Sequence, residues 1–246
     1  MKKYHFALVG LLMLFSCSKE KNTSTSETFN DPNWIRIELP NNRSAHAIYG
    51  SIEDTLLVST IYDNYQITDN GKTLTKTEKK FYQPAFGFVK SNDTLYALMA
   101  NHLKDTDGLR FASYAQYHSL NNGMTWNWTE LHKNKVELKQ KFEEVAVDDN
   151  LKFSIKENIE YFPQSTTDGL ILKSDLRVSR NGSTSILELP FDNQITSLHL
   201  DKHGKLYISA NSGLYDSKTK KYRTEEKRNV ALVYISKKPA KDLFAR

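Results

Sequence analysis

The strongest constraint on this chain is a phrase that recurs along it, a turn residue followed by a short strand with alternating apolar positions. "DTLLVS" begins at Asp54, "DTLYAL" at Asp93, "DGLILK" at Asp168 and "GKLYIS" at Gly204. The steps between them are 39, 75 and 36 residues. A middle step close to twice the others implies a unit of about 40 residues with one unit missed. "DNLKFS" from Asp149 belongs to that missed unit but falls off the phase of the rest. A unit of this length, made of short strands, cannot cover both faces of its own small sheet, so its neighbours must do so.

Each unit reads as a four-stranded meander. The last runs "ITSLHL" (195–200), a turn at "DKHG", "KLYISA", "GLYDS" and "KKYRT"; the first runs "HAIYGS", "TLLVST", "NYQIT" and "TLTKTEK". Gly, Asp, Asn and Lys separate the runs, as hairpin turns require. Aromatic and β-branched residues are frequent, and no long window has apolar residues at a helical period between two caps, so very little helix is expected. The arrangement that buries both faces of such sheets and protects their edges is radial repetition, an all-β propeller. "WIRIELP" (34–40) and "VALVYIS" (230–236) both alternate and are expected to pair, closing the ring. About five blades fit between them, with four to six possible, the second carrying an insertion around "NHLKDTDGLRF".

"SLNNGMTW" (119–126) lies between the third and fourth strands of the second unit. Gly123 supplies positive φ at little cost, Asn121 offers a side-chain acceptor for backbone N–H groups, Ser119 and Thr125 add hydroxyl bonds, and Trp126 packs back between strands. The stretch resembles the Asp-box, or BNR, repeat S-x-D-x-G-x-T-W, with Asn121 for Asp. Weaker copies are "ITDNGKTL" (67–74), which keeps Asp69, Gly71 and Thr73, and "VSRNGSTS" (178–185), which keeps Gly182 and Thr184. The resemblance to sialidase-like and sortilin-like propellers covers residues 45 to 225. It implies that these turns are fold devices at the rim, away from the ligand face.

The N-terminus reads as an export address. Lys2 and Lys3 precede an apolar run from Phe6 to Phe15, too short to span a membrane but right for the core of a secretion signal. "LFSC" (14–17) resembles the bacterial lipobox, which implies a signal peptide over 1–16 and acylation of Cys17 by palmitate-type chains. Phe15 departs from the small or β-branched residue usual there. Cys17 is the only cysteine, so no intrachain disulfide forms. Residues 17–33 are polar and read as a flexible tether, leaving 34–246 as the propeller domain. Ser18 and "KEK" are similar to the export tags of outer-membrane and surface lipoproteins of Bacteroidota. The expected location is therefore the outer membrane or cell surface, with the membrane itself a partner through Cys17.

Chemistry is harder to find. Sialidases of the resembled family clamp a carboxylate with three arginines, use a Tyr activated by Glu, and show a Phe-Arg-Ile-Pro start; only "IRIE" (35–38) approaches it, with Glu38 in place of Pro. The other arginines (43, 110, 177, 180, 223, 228 and 246) follow no assignable pattern. His199 and His203 have a zinc-like spacing only on a helix, and here they fall in a strand and its turn. "DTDG" (105–108) lacks the later ligands of a calcium loop. No catalytic residue, metal or cofactor is expected. The nine Lys and Arg over 218–241 suit edge strands that block aggregation, or an anionic surface. "DTL" at 54 and 93 resembles an O-glycosylation signal of Bacteroidota, although turns favour Asp and Thr anyway. The formal charge of +5 includes Lys2 and Lys3, and nucleic acid is not an expected partner outside the cell. The expected role is a non-catalytic binding or assembly module for a protein or glycan ligand, with a sialidase-like glycoside hydrolase as the alternative.

Overall fold

The computed structural model describes residues 29–78, 81–102, 108–130, 138–223 and 229–243. Four antiparallel sheets are arranged as the blades of a propeller. Blade I is β2 (Ala45–Gly50), β3 (Leu56–Thr60), β4 (Asn64–Thr68) and β5 (Thr73–Lys76), paired in that order. Blade II is β6 (Gly87–Ser91), β7 (Thr94–His102) and β8 (Phe111–Ser119), with two short outer strands among the described residues. β9 (Asn127–Trp128) pairs with Tyr117 and His118, and β10 (Gln140–Lys141) with Phe111 and Ala112. Blade III is β11 (Glu144–Ala146), β12 (Leu151–Lys156), β15 (Asp175–Arg180) and β16 (Ser183–Leu187). A separate hairpin, β13 (Ile159–Tyr161) with β14 (Gly169–Ile171), is inserted between its second and third strands. Blade IV runs β17 (Asn193–Leu200), β18 (Lys205–Asp216), β20 (Val230–Pro239) and β1 (Trp34–Pro40), with β19 (Lys221–Arg223) on the far end of β18.

Four blades lie at the lower bound of the expected range, and the reason is the inserted hairpin. "DGLILK", counted as a repeat, is β14 and the residues that follow it, whereas "DNLKFS" leads into β12 and marks the true third blade. The hairpin repeats the local grammar of turn then strand without pairing into any blade sheet.

Alternation explains why these runs are so apolar. In β20, Leu232 and Tyr234 enter the core shared with blade III, while Ala231, Val233 and Ile235 enter the core shared with blade I. In β3, Leu56 and Val58 face blade IV and Leu57 faces blade II. A strand covered on both faces has no side to leave polar, so it reads as a continuous hydrophobic run. The terminal strands pair over seven positions, from Trp34 opposite Ser236 to Pro40 opposite Val230, and fasten the ring. The chain is docked already at Phe29, inside the span read as tether. Its ring meets Tyr234 edge-on at 5.5 Å and lies 5.0 Å from the Arg36 guanidinium, and Asp31 Oδ1 accepts from the N–H groups of Asn33 and Trp34.

The inner strands β2, β6, β11 and β17 run in one sense along the axis, which gives the ring an upper end, where they start, and a lower end. At the lower end the connections are tight: 51–55, 69–72, 92–93, 120–126, 147–150, 181–182 and 201–204. There the Asp201 carboxylate joins blade IV to blade I. Its Oδ2 accepts from Ser51 Oγ and Tyr207 Oη, each at 2.8 Å, and its Oδ1 from the N–H groups of His203 and Lys205. The Tyr207 oxygen also accepts from Ile52 N–H at 2.9 Å. The longer connections, 77–86, 103–110, 157–174 and 217–229 with its flanking arms, leave from the upper end.

Candidate functional site

The 119–126 turn closes blade II at the lower end. Ser119 Oγ accepts from the N–H of Gly123 at 2.8 Å and of Asn121 at 3.3 Å, and donates to Asn121 Oδ1 at 2.9 Å. Asn121 Oδ1 also accepts from Thr125 N–H at 2.9 Å, while its Nδ2 donates to Thr125 Oγ1 at 3.0 Å. The Trp126 ring is buried against Phe81 and Phe88. Gly123 has φ +86°, and a Cβ there would come within 2.7 Å of Leu57 Cδ2 in blade I. The two shorter turns lie at the same end. Thr73 Oγ1 donates to Asp69 Oδ2, and Gly71 has φ +88°. Asn181 and Gly182 form a two-residue hairpin turn with φ +48° and +80°, and Thr184 Oγ1 lies 3.1 Å from Ser179 Oγ.

Gly123→Ala is expected to destabilise by about 2 kcal/mol or more, because positive φ and a clash with a neighbouring blade add together. Gly182→Ala, with open space around its Cβ, should cost only about 1 kcal/mol. Thermal unfolding checks the order, and equal shifts for the two variants would sink the packing argument.

The upper end holds a cavity of about 490 Å³ to which all four blades contribute. Blade I gives Arg43, Ser44 and His46, blade II Phe86, Asn101 and Arg110. The segment joining blades II and III gives Phe142, blade III and its hairpin Glu157 and Ile171, and blade IV Gln194, Asn211, Ser212 and Tyr222 among others. The cavity is lined by strand ends and connections of separate blades, so none of these positions shares a local motif.

Arg110 is held from two sides. Its Nε bonds Glu143 Oε1 at 2.5 Å, its Nη2 bonds Glu157 Oε1, and its backbone N–H donates to Glu143 Oε2 at 2.8 Å. Glu143 is buried, and the guanidinium lies 5.9 Å from the Phe142 ring centroid. Across the cavity, the Arg43 guanidinium has no carboxylate partner among the described residues. Its carbonyl accepts from Ser212 N–H at 2.9 Å, and Ser44 bridges to Asn211. Asn211 Nδ2 donates to Gln194 Oε1 at 3.0 Å. His46 lies edge-on to Phe86, and desolvation pushes its imidazole down to about 4, so it is neutral at pH 7. Burial pushes the Tyr222 hydroxyl up to about 12, and it donates to the Leu172 carbonyl at 3.2 Å.

Other residues singled out in the sequence are distributed elsewhere. Arg36 pairs with Glu38 at 2.8 Å on β1, outside the cavity. His199 Nε2 lies 2.9 Å from the Gly50 carbonyl, and His203 Nε2 lies 3.2 Å from Glu53. Lys220 and Arg223 pair with Glu160 and Asp216. Thr55 and Thr94 are half-buried at lower-end hairpins. Cys17, residues 105–107 and residues 224–228 lie outside the described residues. No sequence motif marks the cavity residues; the one signal that points to them is the contrast in length between the connections at the two ends. No family model matches the chain and no curated protein matches its sequence, so its functional reading rests on this geometry.

Proposed function

We propose that the protein is an exported, lipid-anchored binding module of the cell envelope, an Asp-box type propeller that takes a protein or glycan ligand at its upper end. The observation that carries this reading is the asymmetry of the ring. Phe86, Arg110 and Glu157, at the described ends of long connections, line a cavity shared by four blades, while the opposite end is closed by tight turns. Binding sites concentrate on loops held by a rigid scaffold and in concave sites of this size. The non-catalytic reading is supported by Tyr222, whose raised pKa and backbone partner suit a positioned hydroxyl better than a nucleophile. The bonding of the 119–126 turn supports the Asp-box resemblance.

The test places a photo-crosslinking side chain at Asn101, on the upper end, or at Met124, on the lower end, of the full chain in its host cell. A discrete adduct is expected from Asn101 only. Equal labelling from both positions, or none from Asn101, would overturn the placement of the site. In the same cells Cys17→Ala is expected to move the protein out of the membrane fraction, and its retention there would sink the anchor. Sialoside turnover lost with Arg36→Ala would promote the hydrolase alternative.

A further inference from the structure

We propose that the upper cavity takes a small zwitterion of the amino-acid type, its carboxylate on Arg43 and its ammonium group on Glu157; this rests on the upper end being the ligand face.

The charged lining is polarised. On the blade I side stands Arg43, a guanidinium with no carboxylate partner among the described residues. Guanidinium presents two parallel N–H donors that match a carboxylate. Around it the polar groups add donors. Ser212 is 7% exposed, lines the cavity, and has no hydrogen-bond partner for its hydroxyl among the described residues. Gln194 spends its side-chain oxygen on Asn211 and keeps its amide N–H groups. Ser212 N–H to the Arg43 carbonyl and the bridge from Ser44 to Asn211 hold these residues as one patch.

The opposite side has the other sign. Two carboxylates, Glu143 and Glu157, share the single cation of Arg110. Glu143 spends both oxygens on Arg110, whereas Glu157 offers only Oε1 and lines the cavity. That side therefore carries one net negative charge, and Glu157 keeps one carboxylate oxygen, Oε2, with no partner among the described residues. A simple anion on Arg43 would meet this charge unopposed, and a dianion would leave half its charge without a partner. A ligand with one charge of each sign satisfies both walls. The rings of Phe86, Phe142 and Tyr222 line the same cavity and suit an apolar or planar side chain.

The test is isothermal titration of the purified full-length protein with phenylalanine, N-acetylphenylalanine and phenylalaninamide, and with a panel of free amino acids that varies the body. A free amino acid is expected to bind roughly tenfold or more tightly than its acetylated or amidated derivative, since each derivative removes one charged hydrogen bond. Arg43→Gln should abolish the preference for the acid over the amide, and Glu157→Gln the preference for the free amine over the acetylated form. Unchanged thermal unfolding of both variants shows that folding is not the cause. Equal binding of the acetylated form would reveal a plain anion site, and equal binding of the amide would remove Arg43 from recognition; either overturns the proposal. So does the absence of binding across the whole panel. An adduct at Asn101 without zwitterion binding refutes this inference while leaving the upper-end reading intact.

Discussion

A chain that starts at Asn41, without residues 29–40, is expected to lose the cooperative thermal transition of the intact domain. β1 is the outermost strand of the last blade but arrives from the far end of the chain, so its loss opens the ring and not merely an edge. Trp34, Ile37 and Leu39 are 5%, 3% and 0% exposed and belong to the cores on both sides of blade IV. Burying side chains of this kind contributes about 1.5–3 kcal/mol each, together on the order of 6 kcal/mol. That is comparable with the whole stability of a domain, about 5–15 kcal/mol. The same deletion removes the seven-residue pairing to β20 and the Phe29 contact with Tyr234. A permuted chain in which residues 29–40 follow residue 243 through a flexible linker should fold again, because both β1 and the 240–242 turn begin at the lower end. Circular dichroism against temperature separates the outcomes. A sharp transition in the truncated chain, at the temperature of the intact one, would show that closure contributes nothing.

Asp201→Ala is expected to cost about 3–5 kcal/mol, a fall in Tm on the order of 10 °C. The carboxylate is buried and accepts from two hydroxyls and two backbone N–H groups, Ser51 in blade I and the rest in blade IV. Removing it strands the buried hydroxyls of Ser51 and Tyr207 and takes the acceptor from the half-buried N–H groups of His203 and Lys205. Burial alone would raise its pKa, but the bonds from Ser51, Lys205, Tyr207 and His203 outweigh burial and hold it below the usual carboxylate value. A depressed folded-state pKa contributes stability that is present above the unfolded value, about 3.9, and is lost as pH falls through the folded value. The gap between wild type and Asp201→Ala in denaturant unfolding should therefore be full at pH 7 and narrow below about pH 4. A gap that stayed constant down to pH 3 would mean that the charge on Asp201 plays no part.

Much of the ring is legible in the amino-acid order itself. The alternation in "VALVYIS" and "WIRIELP" marks two strands with complementary needs, and they pair. "SLNNGMTW" carries its own turn, because the groups that bond lie within eight residues of one another. The blade count is less legible. "DGLILK" has the composition of a blade strand, and only its pairing partner distinguishes β14 from one.

Local chemistry can specify where a strand starts, which residues alternate and where φ turns positive, because each depends on neighbours a few residues away. The sequence by itself therefore determined the all-β meander, its closure by the two ends and the turn at Gly123. Tertiary structure alone decided that β9 and β10 both pair with β8, that β13 and β14 form a sheet of their own, and that Asp201 joins two blades through a partner 150 residues away. It alone brought Arg43, Arg110, Glu157 and Ser212 around one cavity. Their separation in sequence follows from radial geometry, in which every blade brings strand ends and connections to the same end of the ring and the site is the place where those residues meet.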